Sequence, residues 1–336
     1  MKKILFLAFT IALVACENAP KDYVTLSGKI TDKNSDSLVV RTRTYSKTIQ
    51  VNEDGTFKDT LKVVAGVHNI YDGKESSNMY LENGFDINVT LDTKEFDETI
   101  KYTGIGAETS NYLAQKSLLQ ESLFTPDLLD LEEAAFKTKV DEIENKLTEF
   151  IEKNKNIDST IYANEKAGLE KLGENLLTSY NRQKQRAVQM ASFIGKPSPD
   201  FVDYENHKGG TTSLTDLKGK YIYIDVWATW CGPCKAEIPF LKKVEEQYHG
   251  KNIEFVSISI DDQKKHDAWK KMVTDKELGG VQLLADSDWK SKFIQDYKIQ
   301  GIPRFILIDP AGNVVNADAP RPSSPKLIEL FTSLDI

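Results

Sequence analysis

Phe85, Ile87, Val89 and Leu91 alternate with polar residues, the two-residue period of a strand buried on one face. Val24, Leu26 and Ile30 repeat the pattern, with Gly28 interrupting it, and Asp54-Gly55 and Asn83-Gly84 are hairpin turn signals. Residues 22–104 therefore read as a small antiparallel β-domain, a sandwich or barrel of six to eight short strands. The period then lengthens. Phe136, Val140, Ile143, Leu147 and Phe150 fall at helical spacing, as do Leu169, Leu172, Leu176 and Tyr180. Thr125-Pro126-Asp127 reads as a helix cap with proline at the first helical position, and Asp158-Ser159 as the next helix start. Residues 105–192 are expected to hold three or four amphipathic helices, a packed α-helical segment.

Gly195, Pro197 and Pro199 end that region. From 193 to 336 strand and helix patterns alternate. Strands are expected at Tyr221 to Val226, Ile253 to Ile260, Val281 to Leu284, Phe305 to Ile308 and Val314-Val315. Helices are expected at Lys235 to Tyr248, His266 to Thr274, Asp288 to Tyr297 and Pro325 to Leu334. Such alternation predicts an α/β domain, a central sheet covered on both faces.

The first residues read as a targeting segment: Lys2 and Lys3, then an apolar run from Ile4 to Ala12, short for a membrane span. Leu13-Val14-Ala15-Cys16 follows and resembles the lipobox of bacterial lipoproteins. That resemblance implies a signal peptide at 1–15, a lipid on Cys16 and a polar tether at 16–21. The bland alternative is an ordinary signal peptide or an apolar domain start. The chain has 336 residues, 40% hydrophobic and 28% charged, enough for two or three domains with a real core. Its net charge of −8, without a basic stripe, argues against nucleic acid as a partner. His68 reads as structural or merely exposed.

Three cysteines occur, Cys16, Cys231 and Cys234. Beyond the leader this leaves one pair, spaced C-x-x-C, between a predicted strand and a predicted helix. A disulfide framework would want more. A helix N-terminus offers unpaired N–H groups and partial positive charge, so a thiol there ionises more readily. A second thiol one turn on can attack the first and release what it has captured. This is the layout of a reversible dithiol centre.

The segment from Tyr221 to Cys234, with Trp230-Cys231-Gly232-Pro233-Cys234, resembles the active-site segment of thioredoxin. Tyr297 to Gly312, with Gly301-Ile302-Pro303, resembles its later Gly-Ile-Pro segment, and Gly195 to Phe201 is similar to the entry of the TlpA/ResA-like branch. The resemblance covers about 193–336; a β-rich domain and helices ahead of it match that branch by architecture only. It implies a membrane-anchored, extracytoplasmic thiol-disulfide oxidoreductase, with Cys231 as exposed nucleophile and Cys234 as buried resolving thiol. Asp225, six residues before Cys231, would be the buried carboxyl that takes the Cys234 proton, its pKa raised by burial; the alternative is a structural acid. Many TlpA-like chains carry asparagine there, and Ser257 stands where thioredoxin has lysine. Ile302-Pro303 would be a cis pair whose backbone pairs with an extended substrate. Trp230 would lie flat over the site, and Trp227 would pack structurally. Gly232-Pro233 resembles reducing members and implies a potential toward about −270 mV rather than about −120 mV. The implied partners are protein thiols or disulfides in the cell envelope and a membrane electron-donor protein.

Other chemistries fit less well. One C-x-x-C supplies two zinc ligands and no second pair completes the set. Covalent haem would want histidine where Lys235 stands, so neither metal nor cofactor is expected. A peroxiredoxin shares the Gly-x-Pro-x-Pro-Asp-Phe start, but Ile224 and Ala228 occupy its proline and hydroxyl positions. An envelope binding lipoprotein, whose N-terminal domain captures a ligand or partner, remains the alternative from a different class.

Overall fold

The computed structural model describes residues 21–334 and 336. The expected signal segment, Cys16 and all but the last residue of the expected tether lie outside the described residues. The chain divides into two compact units, one ending at Tyr180 and the other running from Asn181 to Ile336.

The first unit opens with eight strands: β1 (Val24–Thr31), β2 (Ser37–Arg41), β3 (Ser46–Gln50), β4 (Thr56–Leu61), β5 (Gly66–Tyr71), β6 (Ser76–Leu81), β7 (Asp86–Asp92) and β8 (Lys101–Ile105). The one-turn α1 (Phe96–Thr99) precedes β8. They form two four-stranded sheets, ordered β4-β1-β7-β8 and β3-β2-β5-β6. One core takes side chains from both, Leu26, Val89 and Tyr102 from the first and Val40, Ile70 and Met79 from the second. This is the sandwich form of the expected β-domain.

Two details differ from the sequence reading. Neither turn signal closes a hairpin: Asp54-Gly55 joins β3 to β4 and Asn83-Gly84 joins β6 to β7, each passing between sheets. The glycines keep the positive φ that makes such turns, +82° at Gly55 and +100° at Gly84. Among otherwise antiparallel pairs, β1 runs parallel to β7. Gly28 permits that contact, because a Cβ there would stand 2.0 Å from the Val89 carbonyl oxygen. His68 is buried, with Nδ1 2.9 Å from the Gly66 carbonyl oxygen and its ring edge-on to Tyr45.

Helices α2 (Ala107–Leu123), α3 (Glu133–Lys153), α4 (Ser159–Glu170) and α5 (Leu172–Ala191) follow, and the division between units falls within the α5 span. Phe136, Val140, Ile143 and Leu147 bury one face of α3 against Leu169, Leu172, Leu176 and Tyr180. Asp158 caps α4, accepting from the N–H groups of Thr160 and Ile161. The Thr125-Pro126 signal instead starts a turn and a three-residue 3-10 helix, and α3 begins only at Glu133.

The second unit carries β9 (Tyr204–Asn206), β10 (Thr211–Thr212), β11 (Tyr221–Trp227), α6 (Gly232–Gln247), β12 (Ile253–Ser259), α7 (His266–Asp275), β13 (Val281–Leu284), α8 (Lys292–Asp296), β14 (Arg304–Ile308), β15 (Val314–Asn316) and α9 (Pro325–Ser333). The sheet order is β10-β9-β13-β12-β11-β14-β15. Its central β11 runs parallel to β12 and antiparallel to β14. Alternate β11 residues serve opposite faces. Ile222, Ile224 and Val226 join a core with Trp269 of α7 and Phe293 of α8, while Tyr223 packs with Leu241 of α6 and Phe331 of α9. Both faces are covered, which makes this the expected α/β domain.

Candidate active site

The site forms where β11 ends and α6 begins. Cys231 is the N-cap of α6 in extended backbone conformation, and its sulfur accepts the Cys234 N–H at 3.1 Å. Gly232 opens the helix and Pro233 follows in its first turn, where a missing N–H costs no helical hydrogen bond. Cys231 and Cys234 are joined as a disulfide. A sulfur in this position, facing a helix N-terminus, gains stabilisation of negative charge from the orphan amides.

Cys231 is less open than the sequence reading expects. It is 4% exposed against 3% for Cys234, and both belong to the same apolar core as Trp227 and Ala228. In the disulfide its sulfur is turned onto Cys234 rather than into solvent. The exposed members of the motif are Trp230, at 54%, Gly232 and Pro233, and the Trp289 ring lies 6.4 Å from that of Trp230. Trp227 is buried, as expected. The Ile302-Pro303 bond is cis, and Ile302 packs against the core that contains both cysteines.

Asp225 is on the β11 face covered by α6, paired in register with Ser257 of β12. It shares a small cavity with Ile238, Leu241 and Glu245 of α6. Burial pushes its carboxyl up to about 8, with further repulsion from Glu237 and Glu245. Its Oδ1 is buried and has no hydrogen-bond partner among the described residues. The raised pKa agrees with the sequence expectation.

Three acidic residues escape the sequence reading. Asp261, 1% exposed, holds the turn before the cysteines: its carboxylate accepts from the Thr229 N–H at 2.9 Å, the Thr229 hydroxyl at 2.7 Å and the Ser259 hydroxyl at 2.7 Å. Glu237 is buried on α6 and accepts from the Ser323 N–H and hydroxyl, both at 2.9 Å, tying the active-site helix to the segment before α9. Glu245 is half-buried and pushed up to about 7, mainly by burial. A signal for Glu245 was present: Cys234, Ile238, Leu241 and Glu245 fall at i, i+4, i+7 and i+11, one helix face. No such signal marked Asp261, whose partner Thr229 lies 32 positions away. Among the described residues, no three His, Cys, Asp or Glu side chains converge to hold a metal.

A disulfide-bonded cysteine pair at the start of the helix that follows the central strand, in a core against which the cis Ile302 packs, with a buried carboxyl under the same helix, defines a dithiol-disulfide centre. The Redoxin family model matches residues 193–327. Relatives include the thiol-disulfide oxidoreductase ResA of Bacillus cereus, 33% identical over 122 residues, and that of Bacillus subtilis, 30% identical over 123 residues. Each match takes in 36% of this chain, with 67% of the first relative's length and 64% of the second's. The chain is also similar to the solution structure of a provisionally assigned thiol-disulfide oxidoreductase from Bacteroides vulgatus, 54% identical, over 42% of this chain and 90% of that one, with a TM-score of 0.37. The chain belongs to the redoxin family, as a thioredoxin-fold thiol-disulfide oxidoreductase related to the bacterial ResA proteins.

Proposed function

We propose that this protein is a membrane-anchored reductase of protein disulfides in the cell envelope. The carrying observation is the Cys231–Cys234 pair at the N-terminus of α6, with the Cys231 sulfur receiving a helix amide and Asp225 buried under the same helix. In the reduced form the Cys231 thiolate attacks a substrate disulfide, forming a mixed disulfide and releasing one substrate thiolate. Cys234 then attacks Cys231, closing the intramolecular disulfide and releasing the second. Asp225 takes the proton that Cys234 gives up.

Trp230, Gly232 and Pro233 present the surface on which substrate lies, and Ile302-Pro303 offers backbone to an extended substrate segment by strand-like pairing. The exposed Trp230 and half-buried Ile302 support this placement. The Leu13-Val14-Ala15-Cys16 tetrad supports lipid attachment at Cys16, and the same leader supports an envelope location. The oxidised pair must be recharged, for which a membrane electron-donor protein is the fitting partner. Among the described residues no helix is long and apolar enough to cross a membrane.

A Cys234→Ser chain, reduced and offered a disulfide-bonded protein, is expected to accumulate a covalent adduct on Cys231 that is cleaved by thiol reductant. Cys231→Ser is expected to give none. Adducts formed through Cys234 alone, or by neither variant, would contradict the assignment.

A further inference from the structure

Asp225 faces a difficulty in its proposed role. Its carboxyl is held protonated well into the neutral range, so before it can accept a proton from Cys234 it must release its own. The sheet side offers no base: Ser257 stands opposite on β12, and Gln282 of β13 lines the same cavity. That cavity, of about 10 Å³, is at the lower limit for one water. Two buried acceptors line it without hydrogen-bond partners among the described residues, Asp225 Oδ1 and Gln282 Oε1. Orphaned acceptors around such a space are the setting in which a buried water bridges.

Glu245 lines this cavity and also an open groove of about 620 Å³ on the solvent side. Its carboxyl lies against Gly279 and Gly280, where a Cβ would stand 2.3 Å from Oε2 and 3.3 Å from Oε1 respectively. The missing side chains make room for the acid between the two spaces. The other charged and titratable groups are placed otherwise. Lys242, also at the cavity, donates to the Lys276 carbonyl oxygen. Glu237 is engaged by Ser323. Tyr223, beside Asp225 on β11, is pushed well above its ordinary range, chiefly by burial. Lys220, Tyr248, His249, Lys251 and Glu254 line the groove.

We propose that Glu245 is a positioning residue of the exchange reaction, carrying the proton between Asp225 and the groove. The inference rests on the Asp225 role above. In the resolving step the Cys234 sulfur bonds to Cys231, the bond from Cys231 to the substrate sulfur breaks, and the substrate leaves as thiolate. The Cys234 proton passes to Asp225, which has been emptied by Glu245, and Glu245 returns to its starting state by exchange with the groove. The buried carboxyl is thereby connected to solvent at the start of β12 and the C-terminal end of α6, away from the cysteines at the other end of that helix.

The test uses the full chain carrying Cys16→Ser, so that Cys231 and Cys234 are its two thiols, reduced and mixed with dithiobis-nitrobenzoate. The first nitrothiobenzoate release reports attack by Cys231, and the second reports resolution by Cys234. Glu245→Gln is expected to slow the second release about ten-fold near neutral pH and to move its pH inflection, leaving the first unchanged. Glu245→Asp is expected to retain most of the second rate. An unchanged second release in Glu245→Gln, or equal slowing of both releases, would overturn the proposal. Asp225→Asn separates the two readings. If it leaves resolution unchanged, the Asp225 role falls and the relay with it; if it slows resolution and Glu245→Gln does not, the relay alone falls.

Discussion

Burial raises the Asp225 carboxyl from an ordinary value of 3.8 to about 8, and Glu237 and Glu245 add repulsion. The folded protein therefore holds a proton there that the unfolded chain releases across most of that interval. Stability from this group is fully present below the unfolded value and falls as pH rises toward the folded one, by up to about 1.4 kcal/mol per pH unit. Glu245, raised to about 7, acts with the same sign. Asp225→Asn removes the Asp225 cost of ionisation. The oxidised variant is expected to denature at higher temperature than the parent, with a gap that widens between about pH 4 and about pH 8 and levels off above. A gap independent of pH would show that this carboxyl does not titrate in that window. Much of this residue chemistry was legible. Asp225 stood at a fixed interval before the cysteine pair, inside a strand apolar enough to be central. What could not be read was its company, because Glu245 reaches it across a helix-sheet layer and Gln282 across two strands.

At the scale of elements, the turn from β11 to α6 is the part on which the site depends, and Asp261 secures it from the neighbouring β12 end. One buried carboxylate there accepts from a backbone amide and two hydroxyls. Asp261→Ala would leave those donors unpaired, at a cost of about 1–3 kcal/mol for each group that water does not reach. We expect a lower melting temperature together with slower attack by Cys231, because the turn that aims the sulfur is loosened. A stable variant with native exchange kinetics would show that the turn holds its shape without this anchor. The central strands of 193–336 were legible because a sheet buried on both faces is built from segments rich in β-branched and aromatic residues, as in Tyr221–Trp227 and Ile253–Ser259. The short strands β9 and β10 were not, since three and two residues carry no period. The expected helix from Asp288 to Tyr297 is broken at Ser291, with a 3-10 turn before it and α8 after it. In the first unit alternation gave a β-domain of six to eight strands, a range that holds the eight observed, and left sandwich and barrel both open. The parallel pairing of β1 with β7 was not legible, because register between strands some sixty residues apart leaves no local trace.

Across the whole molecule, chemistry is concentrated in the second unit, while the first holds a sandwich and helices with their own cores. We propose the division expected from the lipobox resemblance and the hydrophobic periods: a leader to 15, a tether to 21, a β-domain to 104, a helical segment to 192 and the redox domain beyond. In this account the lipid at Cys16 sets the compartment, and the dithiol sets the direction of electron flow. Direction is the central claim, and the equilibrium potential of the Cys231–Cys234 couple tests it most directly. The full chain carrying Cys16→Ser would be poised against thiol redox buffers and the free thiols of the remaining pair counted. A potential below about −230 mV, toward the thioredoxin end of the scale, is the predicted result and fits a disulfide reductase that needs an electron supply. A value near about −120 mV would mean an oxidant that makes disulfides, and would contradict the account.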